Sequence, residues 1–147
     1  MSLKERLQED WKSAMKSRDS FRATVLNMAK AAILKAEKVD GSKLDDEAVI
    51  DILSKEIKQR REAIVEFEKG NRQDLIDQTN KEIEILLEYL PQQLTEEEIA
   101  EIVRNAVIEV GASDIKDMGK VMTAVMPKVK GRADGKLVSQ IVKEALK

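Results

Sequence analysis

Histidine and cysteine are both missing from the 147 residues. Their absence removes the commonest general base, the thiolate nucleophile, every Cys/His zinc site and any disulfide, so neither a metal nor a cofactor is expected. A chain without cysteine also fits the cytoplasm. Aromatic residues are scarce: Trp11, Phe21, Phe67 and Tyr89 are the whole set, which leaves little surface for stacking single-stranded bases. Alternating strand patterns are absent as well. The opening stretch MSLKERLQEDWK is charged throughout, and no apolar run reaches signal or membrane length, so a soluble cytoplasmic chain with no membrane partner is expected.

Charged residues are plentiful at 37%. Most carboxylates fall at helical surface spacing, as in Glu82, Glu84 and Glu88 or Glu96, Glu97, Glu98 and Glu101. That is the pattern of solvated helix faces and of acids favoured in a first helical turn, with nothing converging on them as a catalytic pair. The periodicity predicts an all-α fold. A first helix spans about Leu3 to Lys16, with Ser2 and Glu5 at capping-box spacing and Leu3, Leu7, Trp11, Ala14 and Met15 as its apolar stripe. A second follows Asp19 and stops near Asp40-Gly41, its apolar positions mostly small. The third and fourth form a hairpin about Gly70-Asn71, and Glu82 comes to the level of Arg60 and Arg61, which predicts an ion pair across it.

The best domain boundary follows Leu90. Pro91 cannot donate a backbone hydrogen bond, and Thr95 with Glu98 makes a second capping box. A fifth helix covers about Glu96 to Val110 and ends at Gly111, a sixth starts at Ser113 or Asp114 and ends at Met126-Pro127, and a seventh runs from about Gly135. The expected plan is an N-terminal domain of about four helices, residues 1–90, and a three-helix C-terminal domain, residues 91–147. The latter is small enough to lean on the former for stability. Met118, Met122 and Met126 recur at four-residue spacing, a pattern for core packing or for an adaptable binding surface.

Between the last two helices lies the most informative segment, DMGKVMTAVMPKVKGRADGK, residues 117–136. Lys128, Lys130, Arg132 and Lys136 set four cations against Asp134, while Gly131 and Gly135 can take backbone angles closed to other residues. Asp134 can cap the last helix, whose N-terminal amides favour phosphate or carboxylate. The loop is therefore a candidate anion site; a solvated turn is the alternative. A nucleotide P-loop is excluded, because three residues rather than four separate Gly131 from Gly135-Lys136 and Leu137 stands where Ser or Thr should follow. Charge is uneven: from Gly111 to Lys147 eight bases face four acids, whereas the whole chain carries −2. The remaining options are recognition of a folded RNA through its phosphates, or a protein partner.

The segment MGKVMTAVMPKVKGRADGKLVSQIVKEAL resembles the C-terminal signature shared by the YqeY family and the tail of the B subunit of the glutamine-dependent tRNA amidotransferase. KQRREAI (58–64), Arg72 with Asp74-Leu75, and YLPQQLTEEEI (89–99) extend the resemblance to YqeY proteins over nearly the whole chain. It implies an all-helical protein engaged in RNA work. The family-level label is a carbon–nitrogen ligase with glutamine as amide donor, but the domains that carry that chemistry have no counterpart here, so the chain by itself is not expected to transamidate. The reading implied is a tRNA-binding accessory module: Lys128, Lys130, Arg132 and Lys136 contact phosphates, Gly131 and Gly135 shape the loop, and Lys120 on the preceding helix adds a flanking contact. The alternative is a module that docks on an amidotransferase, a synthetase or another protein.

Overall fold

A computed structural model describes residues 1–147. It contains seven α-helices and no strand: α1 (Leu3–Lys16), α2 (Ser20–Asp40), α3 (Asp46–Lys69), α4 (Gln73–Leu87), α5 (Glu96–Val110), α6 (Met118–Val129) and α7 (Gly135–Ala145). The chain divides into two compact units, Met1–Leu90 with α1 to α4 and Pro91–Lys147 with α5 to α7. No helix is long and apolar enough to cross a membrane.

In the first unit, side-chain oxygens of Ser2, Asp19 and Asp45 accept the N–H groups of Glu5, Arg22 and Ala48, satisfying amides that have no partner inside their helices. Gly41 closes α2 in the left-handed region at φ 80°. Leu7, Leu26, Leu53, Ile57 and Leu86 are almost wholly buried in a shared core. Met15, expected in the stripe of α1, is exposed; Trp11 packs on the core and carries Lys30 over its ring at 3.9 Å. At the hairpin turn it is Asn71, at φ 54°, that takes the left-handed conformation, while Gly70 stays at φ −90°.

The ion pair expected across the hairpin is present. Arg60 Nε lies 3.1 Å from Glu82 Oε1, and Nη1 lies 2.9 Å from Glu56 Oε2 and 3.1 Å from the Glu56 carbonyl. Arg60 is only 9% exposed, so its guanidinium needs these acceptors. A second polar knot ties the end of the unit: the Tyr89 hydroxyl donates to Asp10 at 2.5 Å, Arg6 stands over the Tyr89 ring at 4.6 Å, and Arg22 pairs with Glu88 at 2.9 Å.

In the second unit, Ile99, Val103, Val121, Val125, Val138 and Val142 are fully buried, so α5, α6 and α7 close a core of their own. Thr95 and Glu98 form the expected capping box, and Gly111 ends α5 at φ 67°. The sixth helix departs from the sequence expectation at both ends. Asp114 starts a short 3-10 turn, Ile115–Asp117, before α6 begins at Met118. At the other end α6 runs through Pro127 to Val129. Proline there removes one helical donor, but Val125 and Val129, four residues apart on one face, are 0% and 1% exposed. Burying the second valine keeps the last turn helical.

Candidate anion-binding loop

The chain leaves α6 at Lys130, whose backbone (φ −55°, ψ 124°) is no longer helical, turns at Gly131, and re-enters a helix at Gly135 after the cap residue Asp134. The turn rests on Gly131 at φ 73°, a conformation that costs an L side chain about 1–2 kcal/mol. The Arg132 N–H closes it by donating to the Val129 carbonyl at 2.8 Å. Gly135 differs from expectation. It is the first residue of α7, has no left-handed angle, and a Cβ built on it meets nothing within 4 Å. Asp134 does cap α7, accepting the Lys136 N–H at 3.2 Å. Its carboxylate thereby engages one of the amides that an external anion would use.

The cations are distributed over three elements. Lys128 belongs to the last turn of α6 because the helix passes Pro127, and its ammonium lies 3.5 Å from Glu109 of α5. Both side chains are exposed, so this pair is worth little in water. Lys130 and Lys136 are exposed, and Arg132 is half-buried. Arg132 is near enough to α5 to help hold the Glu98 carboxyl below its ordinary range, an effect due chiefly to the Thr95 N–H donating to it. Lys120, in the first turn of α6, acts similarly on Asp117, whose carboxyl is lowered first by the Ser113 N–H. The structure thus brings Lys128, Lys130, Arg132 and Lys136 to the α6–α7 connection. Lys120 stands on α6 beside a shallow recess lined by Val110, Gly119, Thr123 and Ala124.

The segment entering this unit forms the rest of the loop's support, which sequence reasoning missed. The Leu94 N–H donates to the Arg132 carbonyl at 2.8 Å, and the Gln93 side-chain amide donates to the Gly131 carbonyl at 2.8 Å and to the Pro91 carbonyl at 3.0 Å. The first two bonds each join residues 38 apart in the chain. Two consecutive loop carbonyls, those of Gly131 and Arg132, are thus tied to the scaffold, while the side chains of Lys128, Lys130 and Lys136 are exposed. Cations on an exposed connection attract phosphate or carboxylate.

The profile of the Yqey-like protein family matches residues 4–146. A protein of Pyrenophora tritici-repentis called "Altered inheritance of mitochondria protein 41, mitochondrial" is 32% identical over 146 residues, covering 96% of this chain and 79% of its own length. Its namesake from Lachancea thermotolerans is 38% identical over 112 residues, covering 74% of this chain and 59% of its own length. The E subunit of the glutamyl-tRNA(Gln) amidotransferase of Saccharolobus solfataricus is 29% identical over 131 residues, which are 85% of this chain and 20% of that protein. The cytoplasmic setting expected from composition is corrected by these findings, because the first two relatives are named mitochondrial proteins. Missing cysteine and a charged first segment do not discriminate between reducing compartments.

Proposed function

The chain belongs to the YqeY family, and we propose that it acts as a tRNA-binding accessory module that performs no amide transfer of its own. The observation that carries this reading is the α6–α7 connection. Four cations lie within nine residues, on and beside a turn whose Gly131 and Arg132 carbonyls are already engaged, and Lys128, Lys130 and Lys136 are exposed. Phosphate contacts of this kind position a protein on a nucleic acid without reading its bases, which suits the shortage of aromatic residues. The amidotransferase relative supports the choice of tRNA, since its name places it on a tRNA substrate and the likeness spans 85% of this chain. The carbon–nitrogen ligase label belongs to that larger protein, of which this chain matches 20%.

Titration of the purified chain with tRNA at several salt concentrations tests the proposal. Saturable binding that weakens linearly in log–log form with salt is expected. Incubation with glutamine, ATP and mischarged tRNA is expected to yield no amidated product. Absence of tRNA binding at low salt would refute the first part, and turnover lost on replacing a lysine or carboxylate of this chain would refute the second.

A docking role on another protein is favoured by one feature, the apolar side chain of Ile108, which is 79% exposed in the last turn of α5. Loss of partner binding on substitution at Ile108, with tRNA affinity unchanged, would assign that surface to a protein.

A further inference from the structure

Gln93 is a neutral side chain outside the basic loop, yet it is bonded to the loop's turning point. Its amide nitrogen faces two carbonyl oxygens, those of Gly131 at 2.8 Å and Pro91 at 3.0 Å. Carbonyls only accept, and an amide NH2 has two hydrogens to donate, so one hydrogen serves each carbonyl. The next residue repeats the attachment through its backbone, Leu94 N–H to Arg132 carbonyl at 2.8 Å. Two consecutive carbonyls of the loop, at Gly131 and Arg132, are therefore held by two consecutive residues of the entering segment. Gly131 sits in the left-handed region, a conformation that a glycine in a free loop shares with many others. A bond to its carbonyl selects one of them.

Resting on the tRNA reading above, the geometry points to Gln93 as the positioning residue of the anion site. By anchoring the Gly131 carbonyl it keeps the loop backbone turned toward the scaffold and leaves Lys130 and Arg132, the residues flanking Gly131, on the side that meets phosphate. Gln93 touches no ligand in this role. It lowers the ordering cost of binding, because a pre-formed loop loses less freedom when the polyanion arrives.

The test uses the full chain with Gln93→Met, a side chain of similar length that removes both donors and changes no charge. Amide exchange in the absence of RNA reads the loop directly. The Leu94 N–H, which depends on the Arg132 carbonyl staying in place, is expected to exchange about 5- to 10-fold faster, the loss expected for one or two hydrogen bonds. The buried amides of Val103 and Val125 should keep their protection, which a general loss of stability would not allow. Binding of total tRNA should weaken by a similar factor at every salt concentration, with the salt slope unchanged, since no phosphate contact is deleted. Unchanged exchange at Leu94 overturns the proposal. So does faster exchange with tRNA affinity equal to the parent's, which makes the bond structural only. So does weakened binding with unchanged exchange, which makes Gln93 a direct contact. If the parent chain itself does not bind tRNA, the RNA reading falls, and the exchange comparison still decides whether Gln93 positions the loop.

Discussion

Replacing Arg60 by alanine removes three hydrogen bonds from a buried guanidinium, one to Glu82 Oε1, one to Glu56 Oε2 and one to the Glu56 carbonyl. Bonds to charged groups contribute about 1.5–3 kcal/mol each, and deleting one partner of a fully buried pair costs about 3–5 kcal/mol. The lower end applies here. Glu56 and Glu82 keep 24% and 15% of their side-chain surface in water, so the stranded carboxylates recover part of their hydration. We expect Arg60→Ala to destabilise the first unit by about 2–3 kcal/mol, and a double-mutant cycle with Glu82→Gln to return a coupling near ~1 kcal/mol. For a unit of 90 residues that loss corresponds to a fall in Tm of about 10 °C or more. Trp11 is the single tryptophan and lies in this unit, so its fluorescence in urea follows the relevant transition. A loss below about 0.5 kcal/mol, within the range of ordinary surface changes, would refute the dependence of the buried guanidinium on these two acids.

The two loop glycines should respond oppositely to alanine: Gly131→Ala, at φ 73°, is expected to lower stability by about 1–2 kcal/mol, while Gly135→Ala is neutral or stabilising by up to about 1 kcal/mol. Thermal melts of the two variants decide it, and equal effects would contradict the assignment of the turn to Gly131. Tyr89 is raised above its ordinary range, first by burial and then by its bond to Asp10. Because the folded state holds the phenolic proton more tightly, its contribution is complete below the unfolded value of about 10 and declines as pH climbs above it. The parent should therefore lose stability above about pH 10 more steeply than Tyr89→Phe. Tyrosinate absorbance, which reports Tyr89 alone because it is the only tyrosine, should titrate late in the native chain.

Much of this fold is written in local chemistry. Ser2, Asp19, Thr95 and Asp134 each cap the helix that the sequence assigns to them, because a side-chain oxygen before a run of amides acts over only three or four residues. The pairing of Arg60 with Glu82 is legible for a related reason, since a tight hairpin fixes which residues of two helices stand level. Where local rules compete with burial, the sequence misleads. Pro127 argues for a helix end, and the buried Val129 carries α6 past it, moving Lys128 from loop to helix. Contacts between distant segments leave no trace in one sequence: neither the Tyr89–Asp10 bond, across 79 residues, nor the Gln93–Gly131 bond could be read from spacing. The candidate site was legible as a set of cations and a glycine turn. Its support by Gln93 and Leu94, and the nearness of Glu109 to Lys128, needed coordinates.

Whether the α6–α7 connection binds tRNA through its phosphates is decided most directly by the salt dependence of tRNA affinity for a chain carrying alanine at Lys128, Lys130, Arg132 and Lys136. Helical content and melting should change little, because Lys128, Lys130 and Lys136 are exposed, Arg132 is half-buried, and none of the four belongs to the core, where substitutions cost more than the usual surface range of about 0.5 kcal/mol. Affinity should fall by at least ~10-fold, and the plot of log K against log salt should flatten by roughly one unit of slope for each phosphate that is no longer neutralised. A folded quadruple variant that binds tRNA as tightly as the parent, with the same slope, would contradict phosphate recognition by this loop.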